Sequence, residues 1–597
     1  MATSSASLVV SPISKLPPEI LIQIFIVVAD GRGQKSSDRF RSGQRGLPPS
    51  FLLTHVCQHW KEVVLNCPAL WTKIEFPSSR CSAEMIARSR GAPLKFAAAM
   101  DGLWAQRYRT TSSKDVQAAL QHVSHIQELD LTHKSQDLSN LLRTMTSPAP
   151  VLESLSLRVS KSGLALEGLT GSTFAGVAPK LRSLLLARCN FANWDVPLLK
   201  NIVHFRFYDV TRRSDIVSYL AMLKGMPKLE RLFVVNAFAA LPQELVSERK
   251  IMDRPILTMP HLSRLSIKAV DPAASNAWDI AYILVHLSLP ALCHIDITVD
   301  MSEGDLRNFR SLLPIVAHQF HGPQDSPPIR AVAIAGLEGL SSRENGYVAV
   351  TGWANGEDTR LSQLFNNHCA ETDDSRFRFC FEKVDDDNGT RNLTATLSAF
   401  PLSHILLLAV DSIGDLHHAS WWTDTHVLFP SLNRLYIKGR EAFRTFCYAF
   451  VTNKTAPAMN LDKGTPLAAH RFMKHPEKRT EFFDVPGTLQ DLIFPGLRTL
   501  TMVDVEFEVK EFADLFIEAL VVRRELGVGI QRIEFTGGRF NVAYVERFRE
   551  VVPVVTWEGK EMDMEGVVDY RWLDVDSDGG EVKDNESEIM DRDENGV

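Results

Sequence analysis

The sequence predicts a mixed α+β and α/β chain: an N-terminal helical unit, then a solenoid of repeated strand, loop and helix with a curved parallel sheet and outer helices. Two observations carry this. A phrase of proline, any residue, aliphatic, two variable residues, aliphatic, one variable, aliphatic recurs through the 597 residues. Amphipathic segments of helical period lie between its copies. The first ninety residues lack the phrase and carry helix signals instead.

The run Leu16-Pro17-Pro18-Glu19-Ile20-Leu21-Ile22-Gln23-Ile24-Phe25 opens a helix, because proline is tolerated in a first turn and Glu19 suits the positive end of the helix dipole. Ile20, Ile24 and Val28 recur every four residues beside Leu21 and Phe25, giving a wide apolar stripe. A segment so apolar is the centre of a core or half of an interface. The Gly-, Ser- and Arg-rich stretch from Asp30 to Arg45 reads as a loop. Pro48-Pro49-Ser50 then starts a second helix with Ser50 as its N-cap, and Leu53, Val56, Trp60 and Val63 share one face. Asn66-Cys67-Pro68 stops it, and Leu70-Trp71 follows.

In this order, L-P-P-E-I-L-x-x-I-F, V-C-x-x-W and a terminal L-W resemble the F-box, especially its fungal versions, over roughly Ile13 to Phe76. The resemblance implies a three-helix unit that docks on the Skp adaptor of a Skp–cullin–F-box ubiquitin ligase. By motif, Leu16, Pro17, Ile20, Leu21, Ile24 and Phe25 would supply the first docking surface, with Val56, Trp60 and Trp71 bracing or extending it. The loop between the first two helices is longer than in compact members. His55, Cys57 and His59 could mimic metal ligands on a helix, but zinc wants four ligands and no further one lies at finger spacing, so no metal is expected.

The phrase starts at Pro150, Pro179, Pro227, Pro260, Pro290, Pro327, Pro430 and Pro495. Thirty prolines in a chain 45% apolar would give about three such phrases by chance. Four further copies lack the placed proline, with first aliphatics Ile126, Ile202, Leu402 and Ile530. Early spacings of 26, 29, 21, 27, 33, 30 and 37 lie near the period of a leucine-rich repeat, which the L-x-x-L-x-L core resembles. The Asn ladder usual there is weak; Asn190 and Asn236 follow single copies. Asp215 to Leu223, Leu306 to Phe320, Glu441 to Val451 and Phe512 to Leu526 read as outer helices. The predicted organisation is a disordered 1–12, the F-box at 13–76 with a loop insertion about 30–47, the solenoid at 77–557, and an acidic tail at 558–597. Insertions fall at about 336–400, where some strand is expected and the Asp385 run reads as loop, and at about 439–493, with a basic loop around His470 to Arg479.

Within L-x-L the two aliphatics face inward, and the third, fifth and seventh places of each unit face the concave surface. Arg231, Arg264 and His294 fill the third place of consecutive units, about 5 Å apart laterally at strand spacing. Arg206, Lys268 and Lys438 lie in neighbouring columns, and Arg434 continues the third. This stripe is a candidate for recognising an acidic or phosphorylated segment of a target, since Arg forks match carboxylate and phosphate geometry. A solvated face is the blander alternative.

The net charge of −7 offers nothing global to nucleic acid or anionic membrane, and neither is expected as a partner. From Glu558 onward fifteen acidic residues face four basic ones, which reads as a self-repelling disordered tail. Asp574, Asp576, Asp578 and Gly579 imitate the start of an EF-hand, but the twelfth place is Asn585. No run approaches a membrane span and no secretory leader is read, so eight scattered cysteines are expected as free thiols and the sequons at Asn388, Asn392 and Asn453 as unused. No phosphate loop, dinucleotide glycine pattern, nucleophile elbow, zincin or kinase signature occurs, and His417-His418 has no second half. The expectation is an intracellular, cytoplasmic or nuclear, non-catalytic receptor subunit without cofactor. It would bind the Skp adaptor, cullin through it, and a target protein. The alternatives are a plain repeat scaffold with an F-box-like cap, or an adaptor-bound protein outside any ligase.

Overall fold

The structure, a computed structural model, describes residues 12–30, 48–74, 79–99, 113–160, 171–189, 196–209, 214–239, 256–271, 277–300, 306–318, 320, 327–337, 346–355, 375–384, 386–411, 419–451, 488–489, 492–505, 510–540 and 542–561. The chain divides into two compact units, Met1–Leu402 and Ser403–Val597. Strands in both pair mostly in parallel and alternate with helices.

The first unit opens with helix α1 (Pro18–Asp30), helix α2 (Pro49–Leu53), helix α3 (Gln58–Leu65) and a 3-10 turn at Pro68–Trp71. The single second helix expected from Ser50 is thus two. Thr54 Oγ1 donates to the Phe51 carbonyl at 2.6 Å, one of the side-chain bonds that compete with helix continuation. Cys57 is extended and caps α3, its sulfur accepting the Trp60 N–H at 3.5 Å. Ser50 is not the cap; Pro48 holds that place, and Ser50 is buried inside α2.

β1 (Lys73–Ile74) follows Trp71 at once and pairs in parallel with β2 (Leu94–Ala99). The phrase then delivers β3 (Ile126–His133), β4 (Ser154–Val159), β5 (Ser183–Ala187), β6 (His204–Tyr208) and β7 (Arg231–Val235). β8 (Leu257–Thr258) pairs apart from the main sheet with β10 (Leu287–Ser288), while β9 (Arg264–Ala269) and β11 (His294–Asp300) continue the sheet. Register is kept from β3 to β11. Leu129, Leu155, Leu184, Phe205, Leu232, Leu265 and Ile295 lie side by side, as do Leu131, Leu157, Leu186, Phe207, Val234, Ile267 and Ile297. Both columns are buried, so each strand adds two apolar side chains to one continuous core.

Three successive strands end in the same corner. Arg188, Asp209 and Asn236, one residue past β5, β6 and β7, have φ of 56°, 49° and 48°. In this left-handed turn their N–H groups donate to Tyr208, Val235 and Lys268 carbonyls at 2.8–2.9 Å, the last residues or near-last residues of the next strand. Asn and Asp tolerate the conformation best among residues with a side chain. Asn236 adds more: its amide oxygen accepts from Val270 N at 3.0 Å and Asp271 N at 3.3 Å, and its amide nitrogen donates to Asp209 Oδ1 at 3.2 Å. It is the working member of the weak ladder noted in the sequence; Asn190 lies outside the described residues.

The first insertion contributes to the sheet. β12 (Ala331–Leu337) carries the phrase from Pro327 but does not pair with β11, whose two edges are taken by β9 and a later strand. β13 (Gly346–Trp353) runs antiparallel between β12 and β14 (Phe377–Val384), and β14 takes the place next to β11 in parallel. The crossing is tight: a Cβ on Gly352 would sit 2.2 Å from the Phe377 ring, so only glycine fits. Asp386-Asp387-Asn388, expected as loop, open the helix Asp386–Ala399, which buries Asn392 completely; Asp385 lies outside the described residues. The four outer helices expected from amphipathicity appear as Ile216–Lys224, Leu306–His318, Arg440–Val451 and Lys510–Glu525. Asp215 caps the first by accepting from Ser218 N at 3.0 Å.

In the second unit β15 (Leu407–Val410), β16 (Arg434–Lys438), β17 (Thr499–Val503), β18 (Arg532–Phe540) and β19 (Val554–Glu561) are all parallel. The copy placed at Leu402 is corrected by three residues. Leu408 and Val410 align with Leu435 and Ile437, so Ile405 is its first aliphatic and His404 belongs to a 3-10 turn. In a run of four aliphatics, periodicity cannot choose the register. β19 reaches four residues into the expected tail, with Val555 beside Ile533 and Trp557 beside Phe535. The basic loop from His470 to Arg479, His417-His418 and the EF-hand-like stretch from Asp574 lie outside the described residues.

Arg523 is the polar exception in this core. It is 1% exposed, donates from Nη1 to the Ile493 carbonyl at 2.9 Å and from Nη2 to the Phe494 carbonyl at 2.7 Å, and its guanidinium lies 4.8 Å from the Phe450 ring. Burial pulls its pKa down to about 10, which leaves it charged at neutral pH. It pins the turn in which Phe494 adopts φ of 48°. Two outcomes follow for urea unfolding followed by circular dichroism. Asn236→Ala should cost about 2 kcal/mol, from lost hydrogen bonds and a left-handed backbone that alanine resists. Arg523→Ala should cost about 3 kcal/mol, because it strips the buried Ile493 carbonyl of its donor, leaves the Phe494 carbonyl with the Leu497 N–H alone and opens a cavity beside Phe450.

Candidate functional site

Two surfaces of the first unit gather the residues singled out in the sequence. The first is α1. Its inner side is fully packed: Leu21 and Phe25 are buried, and the Phe25 ring centroid lies 4.7 Å from that of Trp60. Trp71 is also buried, donates from Nε1 to the Val64 carbonyl at 2.9 Å, meets Phe51 edge-on at 5.1 Å and is covered by the Arg88 guanidinium at 4.7 Å. Leu21 and Phe25 are therefore corrected from surface contact residues to packing inside the helical unit, and Trp71 takes the bracing one of the two roles expected for it. Trp60 and Leu16 are half-buried.

The outer side of α1 is apolar and open. Ile20 is 49% exposed, Ile24 37% and Val28 46%, one turn apart along the helix, with Pro17 ahead of them and Val27 alongside. Val56, in the turn before α3, is 58% exposed, and Leu52 at the end of α2 is open as well. Sequence reasoning included Ile20, Ile24 and Val56 but passed over Val27 and Leu52, which carry no motif signal. Surfaces that concentrate exposed aliphatics in this way mark interaction sites. His55 is exposed and Cys57 is engaged as a helix cap; among the described residues no three His, Cys, Asp or Glu side chains converge on a metal site.

The second surface is the accessible face of β6, β7 and β9. His204, Arg231 and Arg264 lie side by side across the three strands. Arg206 stands beside Phe233 in the next column, and Lys268 beside Val235 in the third, its ammonium 5.6 Å from the Phe233 ring centroid. Arg206 and Arg231 are exposed. Burial first, then the positive charges of Arg231 and Arg206, hold His204 below its usual pKa, against an opposing pull from Glu230.

His294 leaves the set. It is buried, with Nδ1 at 2.6 Å from the Ser375 carbonyl, and burial followed by the charge of Arg264 lowers its pKa. The cause is β14, which lies against β11 and brings the Ser375–Arg378 segment with it. Arg434 and Lys438 belong to the second unit, where Arg434 is exposed and Lys438 sits 3.3 Å from Asp411.

All seven described cysteines are free thiols. Burial pushes Cys189 and Cys293 up to about 12, so neither is a nucleophile at neutral pH. No described helix is long and apolar enough to cross a membrane.

No protein-family model matches the sequence. No curated protein matches it either. Among solved structures, the chain matches the crystal structure of a TLR13–ssRNA13 complex with 11% sequence identity and a TM-score of 0.22, covering 74% of this chain and 61% of that one. The chain thus spans about three fifths of the length of that structure's chain.

The two sides of α1 should separate in stability measurements. Ile24→Ser should move the unfolding free energy by less than about 0.5 kcal/mol, as exposed substitutions do. Phe25→Ala should cost about 3 kcal/mol or more by opening a cavity against Trp60. Denaturant midpoints of the two variants check this.

Proposed function

We propose that this chain is the substrate-recognition subunit of a Skp–cullin–F-box ubiquitin ligase. The helical unit serves as the F-box, and the strand–helix array, read as leucine-rich-repeat-like, holds the target. The observation that carries the reading is the open stripe Ile20, Ile24 and Val28, on a helix whose other side is saturated by Leu21, Phe25 and Trp60. Among the described residues, packing covers the inner side and leaves Ile20 and Ile24 exposed. The outer one has the chemistry of half an interface, and it coincides with the motif residues that resemble the F-box.

In this role the chain supplies no catalytic group and needs no cofactor. It fastens a target to the adaptor, and through adaptor and cullin brings target lysines near a charged ubiquitin-conjugating enzyme. The gain is proximity: a bimolecular encounter becomes effectively unimolecular. Such work belongs in the cytoplasm or nucleus.

One observation favours a second reading. β1 begins two residues after Trp71, so the helical unit also closes the end of the sheet. A plain repeat scaffold needs such a cap.

Binding of purified Skp adaptor to the full chain, measured by calorimetry, separates the two. Wild type should bind, and Ile20→Asp with Ile24→Asp should weaken binding at least a hundredfold, because two carboxylates would be desolvated in an apolar contact. Circular dichroism should find the variant folded. Folded wild type that binds no adaptor would sink the ligase reading and leave the scaffold.

A further inference from the structure

Cations on the accessible face of the sheets are, as a rule, matched by an acid one strand away. In the first unit Lys95 meets Glu128 at 2.7 Å, Arg158 bonds Asp130, Arg188 approaches Asp209 at 3.8 Å and Arg378 approaches Asp296 at 3.6 Å. The second unit follows the same habit with Lys438 to Asp411 at 3.3 Å, while Arg532 is matched within its own strand by Glu534 at 3.3 Å. This is what cross-strand energetics favour, since unlike charges stabilise a pair and like charges directly opposite cost.

The cations of β6 and β7 break the rule. Arg231 lies directly beside Arg264 on one side and His204 on the other. Among the described residues neither the Arg206 nor the Arg231 guanidinium has a hydrogen-bond or ion-pair partner. Between the cations stand two half-buried rings, Tyr208 and Phe233, with centroids 5.5 Å apart.

The patch has edges. On one side β5 presents Ser183, Leu185 and Ala187, which carry no charge, and on the other β11 presents Asp296, a buried acid. Three strands at ~4.8 Å spacing and five residues at ~3.3 Å rise give about 10 Å by 13 Å. That is far below the ~800 Å² a folded partner covers, and too short to track a nucleic-acid backbone flanked by an acid. It matches four or five residues of extended peptide.

We propose that the accessible face of β6, β7 and β9 binds a short extended segment of the target protein rich in aspartate and glutamate. Each exposed guanidinium takes a carboxylate through its two parallel N–H groups, and the pair Tyr208 and Phe233 takes a neighbouring apolar side chain. Binding turns the repulsion along the row into attraction. The inference rests on reading the array as a target receptor, and it names what that receptor reads.

The test uses the folded full chain and a fluorescein-labelled octapeptide of alternating glutamate and leucine, followed by anisotropy. Wild type should bind it, lose affinity severalfold between 50 and 300 mM salt, as about two exposed charge contacts do, and ignore the lysine-for-glutamate peptide. Arg206→Ala with Arg231→Ala should weaken binding at least tenfold, while Arg532→Ala, at a matched site, should leave it unchanged. Both are surface changes, and circular dichroism checks the fold. The proposal is overturned if the glutamate peptide does not bind, if the double variant binds like wild type, or if a twelve-residue oligouridylate binds more tightly than the peptide. The measurement contains no adaptor and leaves α1 untouched, so its failure is distinct from failure of adaptor docking.

Discussion

The constraint on which the structure depends is the register of two inward aliphatics per strand. A lone L-x-L strand with its helix cannot bury both side chains, and stacking neighbours in strict parallel register does so. Seven consecutive positions, from Leu129 to Ile295, stay aligned across the first unit. The left-handed corner after β5, β6 and β7 supports that register by tying the end of one strand to the end of the next. Once the inward columns are set, the outward ones follow, because side chains alternate. The charged row on β6, β7 and β9 is therefore a by-product of core packing in position, though not in composition.

Composition is where the two surfaces acquire meaning. A sheet face can be neutralised cheaply by placing an acid one strand from each cation, and Lys95 with Glu128 is a case in point. Arg231 beside Arg264 forgoes that. α1 presents the apolar counterpart of the same argument. Leu21 and Phe25 satisfy the chain's own core, whereas Ile20 and Ile24 remain in water at a cost of roughly 1 kcal/mol or more each in forgone burial. Arg523 makes the converse point: a cation can be placed deep in a core if backbone carbonyls receive it.

Much of this was legible beforehand, for physical reasons that differ by element. The phrase revealed its strands because proline, spacing and two buried positions recur together. The outer helices announced themselves by period. β2 escaped because its inward positions are Phe96 and Ala98, too small a contrast to read, and β19 because Pro553 falls three places late. Leu402 misled because aliphatic runs have no phase. On α1 every residue from Ile20 to Phe25 except Gln23 is apolar, so composition could not separate braces from the open stripe; only the positions of Trp60 and Trp71 do. His294 looked like part of the stripe because its columns were counted along the chain, and β14 arrives beside it from eighty residues away.

The corner also divides the chain into parts that can and cannot change length. Between one corner and the next phrase the chain has spanned intervals whose repeat spacing runs from 21 to 37 residues, and even a whole antiparallel excursion through β13, without losing the sheet. Inside the phrase a single added residue would turn leucines outward and arginines into the core, since the period is two. Variation in such a protein is thus channelled to its rim. New recognition loops can be acquired there by simple lengthening, while the face that meets a ligand can be rewritten only one side chain at a time.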